Sequence, residues 1–119
     1  MGLIDDRSLP LLHGTVDLLV LKALSWGPMH GFGISNWLET ESGGSIDVND
    51  SAMYQVLHRL EARGFVDAEW GITENNRKAR YYRIAAPGRR HLRAQTDTWL
   101  RYAKSVSGIL TLVTRPSSA

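Results

Sequence analysis

Polar side chains recur at helical spacing in the middle of the chain, at Ser51, Tyr54, Gln55, His58 and Arg59. Side chains of these types donate to or accept from the edges of nucleic-acid bases, and Glu61 is the only carboxylate between Ser51 and Arg63. The opposite side of the same segment is apolar, with Met53, Val56, Leu57 and Leu60. We predict an amphipathic helix whose outer face suits the major groove of DNA, the alternative being an ordinary solvated helix face.

A second polar segment, Gly71 to Ala79 (GITENNRKA), separates two stretches in which apolar and polar residues alternate. The alternation predicts two antiparallel strands, at residues 65–70 and 80–84, joined by a loop that forms a wing. The polar groups of this wing suit contact with phosphates or a minor groove, and they are Asn75, Asn76, Arg77, Lys78 and Arg80. The alternative is a hairpin tip that is simply solvated.

The charge distribution favours a polyanionic partner for the second half of the chain. The whole chain of 119 residues has a formal charge of only +2. Residues 1–69 hold four basic and ten acidic residues, a balance of −6, whereas residues 70–119 hold ten basic and two acidic ones, a balance of +8. Clustered Lys and Arg gain affinity by releasing counterions from phosphates.

Enzyme chemistry finds little support in this sequence, so we predict that the protein is not an enzyme. There is no cysteine, which removes disulfides, thiolate metal sites and cysteine nucleophiles. The four histidines are scattered, and no metal-spaced cluster, phosphate-cradling glycine loop or nucleophile elbow occurs. We therefore expect no cofactor and no metal. The sequence lacks a signal peptide and a long apolar run, so we expect a cytoplasmic protein without membrane contact.

Two further helices must position the polar segment and the wing. Apolar spacing predicts one helix over residues 15–25, which is apolar nearly all round, and a shorter one over residues 31–40. Asn49 is the expected N-cap of the third helix, and Gly64 its stop. Three helices and a two-stranded wing define a winged helix-turn-helix domain at residues 14–85, preceded by an N-terminal arm at 1–13.

The last segment is predicted to be a long helix at residues 86–113, followed by a flexible tail at 114–119. Some 25 helical residues within this segment span roughly 37 Å, more than the preceding domain can cover. Its apolar side is typical of a helix that pairs with a second copy, although folding back on its own domain is the alternative. The predicted dimer contacts are Leu92, Trp99, Tyr102, Val106, Ile109, Leu110 and Val113. The fold class is thus mainly α with a small antiparallel β wing, a winged helix-turn-helix with a C-terminal dimerisation helix.

Several segments resemble the PadR family of transcriptional regulators in the order and spacing of their residues. They are GTVDLLVL from Gly14, GPMHGFGI from Gly27, AMYQVLHRLE from Ala52, Gly64-Phe65-Val66, and Arg80-Tyr81-Tyr82-Arg83-Ile84 followed by Gly88-Arg89. The resemblance covers about residues 14–93. It implies a bacterial repressor that binds double-stranded DNA at a palindromic operator as a homodimer.

The chain departs from the family pattern at two helix starts. Ala85 stands where the family usually has Thr, so the last helix lacks its side-chain N-cap, at a cost of about 1 kcal/mol. Ser51 and Ala52 replace the usual Gly-Thr at the start of the recognition helix, which affects direct base contacts more than the fold.

The resemblance leaves a small aromatic effector open, because relatives that bind one use a dimer cleft lined by the last helix. Trp99 is positioned on that helix to stack on such a ligand, the alternative being an anchor in the dimer core. Two rival functions also stand beside the repressor. They are a non-specific architectural DNA-binding protein and a winged helix used only for protein contacts.

Overall fold

The computed structural model of the protein describes residues 14–115. The helices are α1 (Thr15–Leu24), α2 (Gly31–Glu41), α3 (Asp50–Ala62) and α4 (Ala86–Leu110), and the strands are β1 (Met29–His30), β2 (Val66–Ile72) and β3 (Lys78–Ile84). This is the predicted fold class, mainly α with a small antiparallel wing and a long C-terminal helix. The predicted arm at 1–13 and the last four residues of the predicted tail, 116–119, lie outside the described residues.

Helix α1 is the centre of the core. Its side chains at Val20, Leu21 and Leu24 are fully buried, which agrees with a helix that is apolar nearly all round. Helices α2, α3 and α4 and strand β3 all contact it. Ile34, Leu60 and Val66 are the other large side chains that are fully buried. The same core cluster includes Ile84 of β3 and Leu92 of α4, so every element that carries a predicted site residue is attached to one core.

The sheet is antiparallel in the order β1-β3-β2, and it has one strand more than the sequence predicts. In the short strand β1, Met29 pairs with Tyr82 and His30 with Tyr81. A strand of two residues is too short to show an alternation of apolar and polar residues. Strand β1 therefore forms only because the fold brings it beside β3.

The prediction of a loop at residues 71–79 is wrong in its length, because β2 continues to Ile72 and β3 begins at Lys78. Five residues, 73–77, make the turn. It is closed by the amide of Thr73, which donates to the carbonyl of Arg77 at 2.8 Å, and by the amide of Asn76, which donates to the carbonyl of Thr73 at 2.9 Å. Asn76 has a φ of 59°, a left-handed conformation that asparagine tolerates better than most residues. The wing is therefore a longer and more regular hairpin than predicted.

Helix α4 is anchored to the core only at its beginning. Gly88 and Leu92 are its buried residues, and a Cβ at Gly88 would lie 2.2 Å from the carbonyl oxygen of Phe65. The absence of a side chain at Gly88 therefore lets α4 approach the backbone before β2. Ala85 occupies the N-cap position without a side-chain hydrogen bond, as its residue type predicts.

Two predictions about α4 require correction. Leu92, predicted to lie in the dimer interface, is buried in the core of its own chain because the first turns of α4 pack against the domain. The helix ends at Leu110 rather than at residue 113. At that end the carbonyl of Ser107 accepts hydrogen bonds from both the amide of Thr111, at 3.0 Å, and its hydroxyl, at 2.7 Å.

Candidate nucleic-acid interface

Helix α3 starts as the sequence predicts, because the side-chain oxygen of Asn49 accepts a hydrogen bond from the amide of Ala52 at 2.8 Å. Its buried side consists of Met53, Val56, Leu57 and Leu60. Packing of that side fixes the rotation of the helix about its own axis. The polar residues therefore lie on the outer side.

The outer face of α3 exposes Ser51, Tyr54, Gln55 and His58. The rings of Tyr54 and His58, one helical turn apart, stack with their centroids 6.0 Å apart and an angle of 16° between their planes. Stacking aligns the phenol and the imidazole in one row on the helix. Gln55 and Ser51 extend this row of donors and acceptors along the exposed surface.

Arg59 forms an ion pair with a residue of α1. Its Nε donates to Asp17 Oδ2 at 3.0 Å, and its Nη2 donates to Asp17 Oδ1 at 2.6 Å. The hydrogen bond from Arg59 to Asp17 raises the pKa of Arg59 above its ordinary value, although burial opposes it. This two-point ion pair joins α3 to α1. Arg59, which the sequence places among the DNA contacts, pairs with α1 while 49% of its side chain stays exposed.

A second ion pair holds α3 on its other side. Arg80 of β3 donates to Glu61 at 2.9 Å, so the one carboxylate of the polar segment is neutralised by the wing. Arg80, which is one of the predicted wing contacts, thus forms an ion pair with α3. The two ion pairs fix α3 relative to both α1 and the sheet, and Ser51, Gln55 and His58 belong to the helix that they hold.

The tip of the wing brings four of the predicted contact residues together. Asn75, Asn76, Arg77 and Lys78 are all exposed. Asn75, Arg77 and Lys78 border a groove that lies between the wing, the exposed side of α3 and the beginning of α2, with Tyr54 and Phe32 among its lining residues. The groove joins the basic tip to the recognition surface, so one extended ligand can touch both.

The sequence patterns do not reveal three exposed apolar residues of α2 and the wing. Phe32 at the start of α2 is 74% exposed, and Trp70 and Ile72 of β2 are 63% and 64% exposed. The alternation of β2 indicates that Trp70 shares a face with Val66 and Ala68. The alternation could not indicate that the burial of this face ends before Trp70.

His30 caps α2, as a residue at a turn before a helix can. Its Nδ1 accepts a hydrogen bond from the amide of Gly33 at 3.0 Å, which satisfies one of the free donors of the first helical turn. Gly33 leaves room for the imidazole, whose nearest carbon would lie 3.4 Å from a Cβ at that position. Within residues 14–115, no three His, Asp or Glu side chains are grouped so that they could hold a metal ion.

The apolar side of α4 beyond the core is bare. Ile109 and Leu110 are 70% and 76% exposed, and the other predicted dimer residues that remain exposed are Trp99, Tyr102, Val106 and Val113. A cleft of about 520 Å³ lies between α4 and the start of α1, lined by Trp99, Arg63, His91 and Gln95 among others. No helix within the described residues is long and apolar enough to cross a membrane.

An exposed polar helix that is braced beside a basic hairpin defines a winged helix DNA-binding fold. Within that class the chain is a member of the transcriptional regulator PadR-like family, because residues 20–94 match the model of that family. A curated relative, an uncharacterized protein of Lysinibacillus sphaericus, is 25% identical over 89 residues, which are 75% of this chain and 82% of the relative.

Solved structures show the same fold. A protein of Streptococcus mutans UA159 superposes with a TM-score of 0.76 at 23% identity, covering 92% of this chain and 98% of that one. A PadR family transcriptional regulator of Eggerthella lenta DSM 2243 gives 0.70 at 28% identity, covering 82% and 83%. PadR of Bacillus subtilis, solved in complex with operator DNA, gives 0.62 at 21% identity, covering 69% and 47%.

Proposed function

We propose that the protein is a transcriptional repressor that binds a palindromic operator sequence-specifically as a homodimer. The observation that carries the proposal is the outer face of α3, where Ser51, Gln55 and His58 are exposed on a helix held by two ion pairs. A rigidly held row of donors and acceptors is what reading of base edges in the major groove requires. The B. subtilis PadR that was solved with operator DNA shares the fold, which supports DNA binding by this chain.

The wing supplies the sequence-independent part of binding in this proposal. Arg77 and Lys78 are exposed at its tip beside Asn75 and Asn76. Such groups contact phosphates and fix the register of the protein on the duplex, whereas α3 discriminates between bases. Binding to any DNA therefore depends on the wing, and choice among DNAs depends on α3.

The unpaired side of α4 supports a homodimer. The described chain has a radius of gyration of 17.4 Å, whereas a compact chain of this size has about 13 Å. The excess comes from a helix whose apolar residues, Ile109 and Leu110 among them, have no cover within the described residues. A second copy covers them on both chains at once, and its twofold symmetry calls for a palindrome with half-sites about one helical turn apart.

We also propose a regulatory role for the cleft beside Trp99, which is 41% exposed. Its indole offers a stacking surface for a small aromatic effector, and Arg63 and Gln95 supply polar partners. The competing role of Trp99 is an anchor in the dimer core. Tryptophan fluorescence and operator binding of the dimer separate the two roles. An aromatic effector that stacks on Trp99 changes the fluorescence and releases the operator. If Trp99 is only an anchor, adding such a compound changes neither.

The test of the proposed function is a gel-shift titration with the DNA upstream of the protein's own gene and with random DNA of equal length. We expect tighter binding to the upstream DNA, by about a thousandfold, and a steep loss of affinity with added salt. Transcription from that DNA in vitro should fall as the protein is added, since an operator bound near a promoter excludes the polymerase. We place this activity in the cytoplasm, where bacterial operators are.

The rival functions predict other results in the same titration. Equal affinity for both DNAs would contradict the repressor and indicate an architectural DNA-binding protein. An absence of binding even at low salt would leave a winged helix used for protein contacts.

A further inference from the structure

Helix α4 has a second exposed side, which is strongly basic. At about 100° per residue, the basic residues of the helix fall within an arc of about 120°. The apolar side that ends at Ile109 and Leu110 is centred about 180° away from this arc. From Arg89 to Lys104 the basic side is about 22 Å long. Its basic residues are all exposed, and they are Arg89, Arg90, Arg93, Arg101 and Lys104.

This side also carries one carboxylate and one apolar residue. Asp97 is the only carboxylate in α4, and its Oδ2 lies 3.3 Å from the Nε of Arg101. Leu100 is 59% exposed. It lies between Arg93 and Lys104 in the same row, because residues seven and four apart share one side of a helix. We name the five basic residues together with Leu100 the basic face.

The basic face is turned away from everything that α4 is expected to contact. Gly88 and Leu92, which attach the helix to the core, lie on the other half of its surface. Ile109 and Leu110, which the proposed dimer covers, lie on that other half as well. Pairing of two chains through the apolar side therefore leaves the basic face exposed on both of them.

We propose that the basic face docks an acidic α-helix of a protein partner, with Leu100 packed on an apolar residue of that helix and the arginines paired with its carboxylates. Charge complementarity selects this partner. Four of the five cations are arginines, whose planar guanidinium matches a carboxylate in a two-point contact. An exposed leucine among charged groups also has the plan of a protein interface, with an apolar centre and a polar rim. The inference goes beyond the proposed function and requires neither operator binding nor an effector.

Two other anionic partners fit the basic face less well. Nucleic acid pairs with cations through its phosphates, which gives Leu100 no role. Binding along an anionic membrane requires a wide apolar side next to the cations. The basic face has a single leucine, and the apolar side of α4 points the other way.

The test is a titration of the full-length protein, at low salt and without DNA, into a fluorescently labelled synthetic peptide. The peptide is an alanine-based helix of about 16 residues, a length that matches the basic face. It carries glutamates three and four residues apart on one side and a leucine at the centre of that side. We expect fluorescence anisotropy to show binding that weakens with added salt. The same peptide with glutamine for every glutamate should bind at least about tenfold more weakly.

Variants of the protein locate this binding on α4. Replacing both Arg93→Gln and Lys104→Gln should weaken it about tenfold, because each exposed ion pair contributes up to about fivefold. Leu100→Gln keeps a good helix former and should weaken it about fivefold through the lost apolar contact. The matched control is Arg83→Gln. Arg83 has 61% of its side chain exposed but lies on the wing, so this variant should bind the peptide as the wild type does.

Four results would overturn the inference. They are a wild type that does not bind the glutamate peptide, equal binding of the glutamine peptide, and undiminished binding by either the double variant or Leu100→Gln. A loss of affinity for random DNA, or for phosphatidylglycerol vesicles, in the double variant would also contradict it, because nucleic acid or a membrane would then be the partner. None of these outcomes decides the repressor proposal, which the titration with upstream DNA tests separately.

Discussion

At the scale of single residues, Arg59 and Asp17 join parts of the chain that are 42 residues apart in sequence. Two parallel hydrogen bonds from one guanidinium fix direction as well as distance. Asp17 is the more covered partner, with 15% of its side chain exposed against 49% for Arg59. We therefore expect the pair to affect DNA binding by orienting α3.

We predict that Asp17→Asn lowers the free energy of unfolding by about 1 kcal/mol and weakens binding to the operator more than binding to random DNA. Urea denaturation and gel-shift titration measure the two effects. The matched control is Asp97→Asn, which removes the exposed pair of Asp97 with Arg101 on α4 and should change stability by less than about 0.5 kcal/mol. Equal effects from both variants would show that the Asp17 pair does not orient α3.

Two glycines of α4 should respond oppositely to alanine. A Cβ at Gly88 meets the carbonyl of Phe65, whereas one at Gly108 meets nothing within 4 Å. We predict that Gly88→Ala destabilises the protein by about 1 to 3 kcal/mol through displacement of α4. Gly108→Ala should stabilise it by about 0.5 to 1 kcal/mol, because alanine is the better helix former. Melting curves of both variants measure this difference, and a stable Gly88→Ala would contradict the close approach.

At the scale of elements, most of the fold could be predicted because its signals are local. The cap at Asn49 and the apolar spacing of α3 locate that helix, and alternation locates β2 and β3. Strand β1 could not be predicted, since Met29 and His30 become a strand only by pairing with β3. The predicted wing is too short because Gly71 resembles a loop residue. In the structure Gly71 makes room for the ring of Tyr81, which a Cβ would meet at 2.8 Å.

The residue types of the site could be predicted from the sequence. The roles of some individual residues could not. Exposure of Ser51, Gln55 and His58 follows from helical spacing alone. The roles of Arg59 and Arg80 depend on partners in distant elements, which no local pattern contains. The basic residues of the segment 70–119 are also not confined to the wing, because half of the ten lie in α4. Those five are Arg89, Arg90, Arg93, Arg101 and Lys104.

In the proposed function, α3 chooses among DNA sequences and the wing binds any DNA. This division gives a prediction at the scale of elements. Replacing Gln55→Ala should relax preference for the operator, with about a tenfold loss of discrimination, because a contact to a base edge disappears. Replacing both Arg77 and Lys78 with Ala should weaken binding to operator and random DNA by the same factor. Competition titrations with both DNAs separate these effects. Equal losses on both DNAs from both variants would contradict the division.

At the scale of the whole molecule, the proposed homodimer depends on α4. Its first turns belong to the core through Leu92, and its later turns carry an apolar side without a partner in the described chain. The boundary between these parts could not be predicted from sequence, because Leu92 and Ile109 continue the same helical pattern. Only the position of the domain beneath the helix distinguishes them.

We predict that Ile109→Glu converts the dimer into a monomer, because a carboxylate in an apolar interface has no partner there. Light scattering at micromolar concentration measures the change, and operator affinity should fall with it. Leu100→Glu is the matched control. Leu100 is also exposed, but it lies about two and a half turns earlier and therefore on the opposite side of α4. A dimer that survives Ile109→Glu, or one that Leu100→Glu also breaks, would contradict the assigned face.

Selection of bound sequences from random DNA by the wild-type protein tests the proposed function most directly, since it reads base preference and symmetry together. A dimer that reads bases through α3 should enrich one palindromic sequence, with half-sites centred about 10 base pairs apart or a multiple of that spacing. Recovery of DNA without a common sequence would contradict sequence-specific binding. Recovery of a single half-site without its inverted copy would contradict the symmetric dimer.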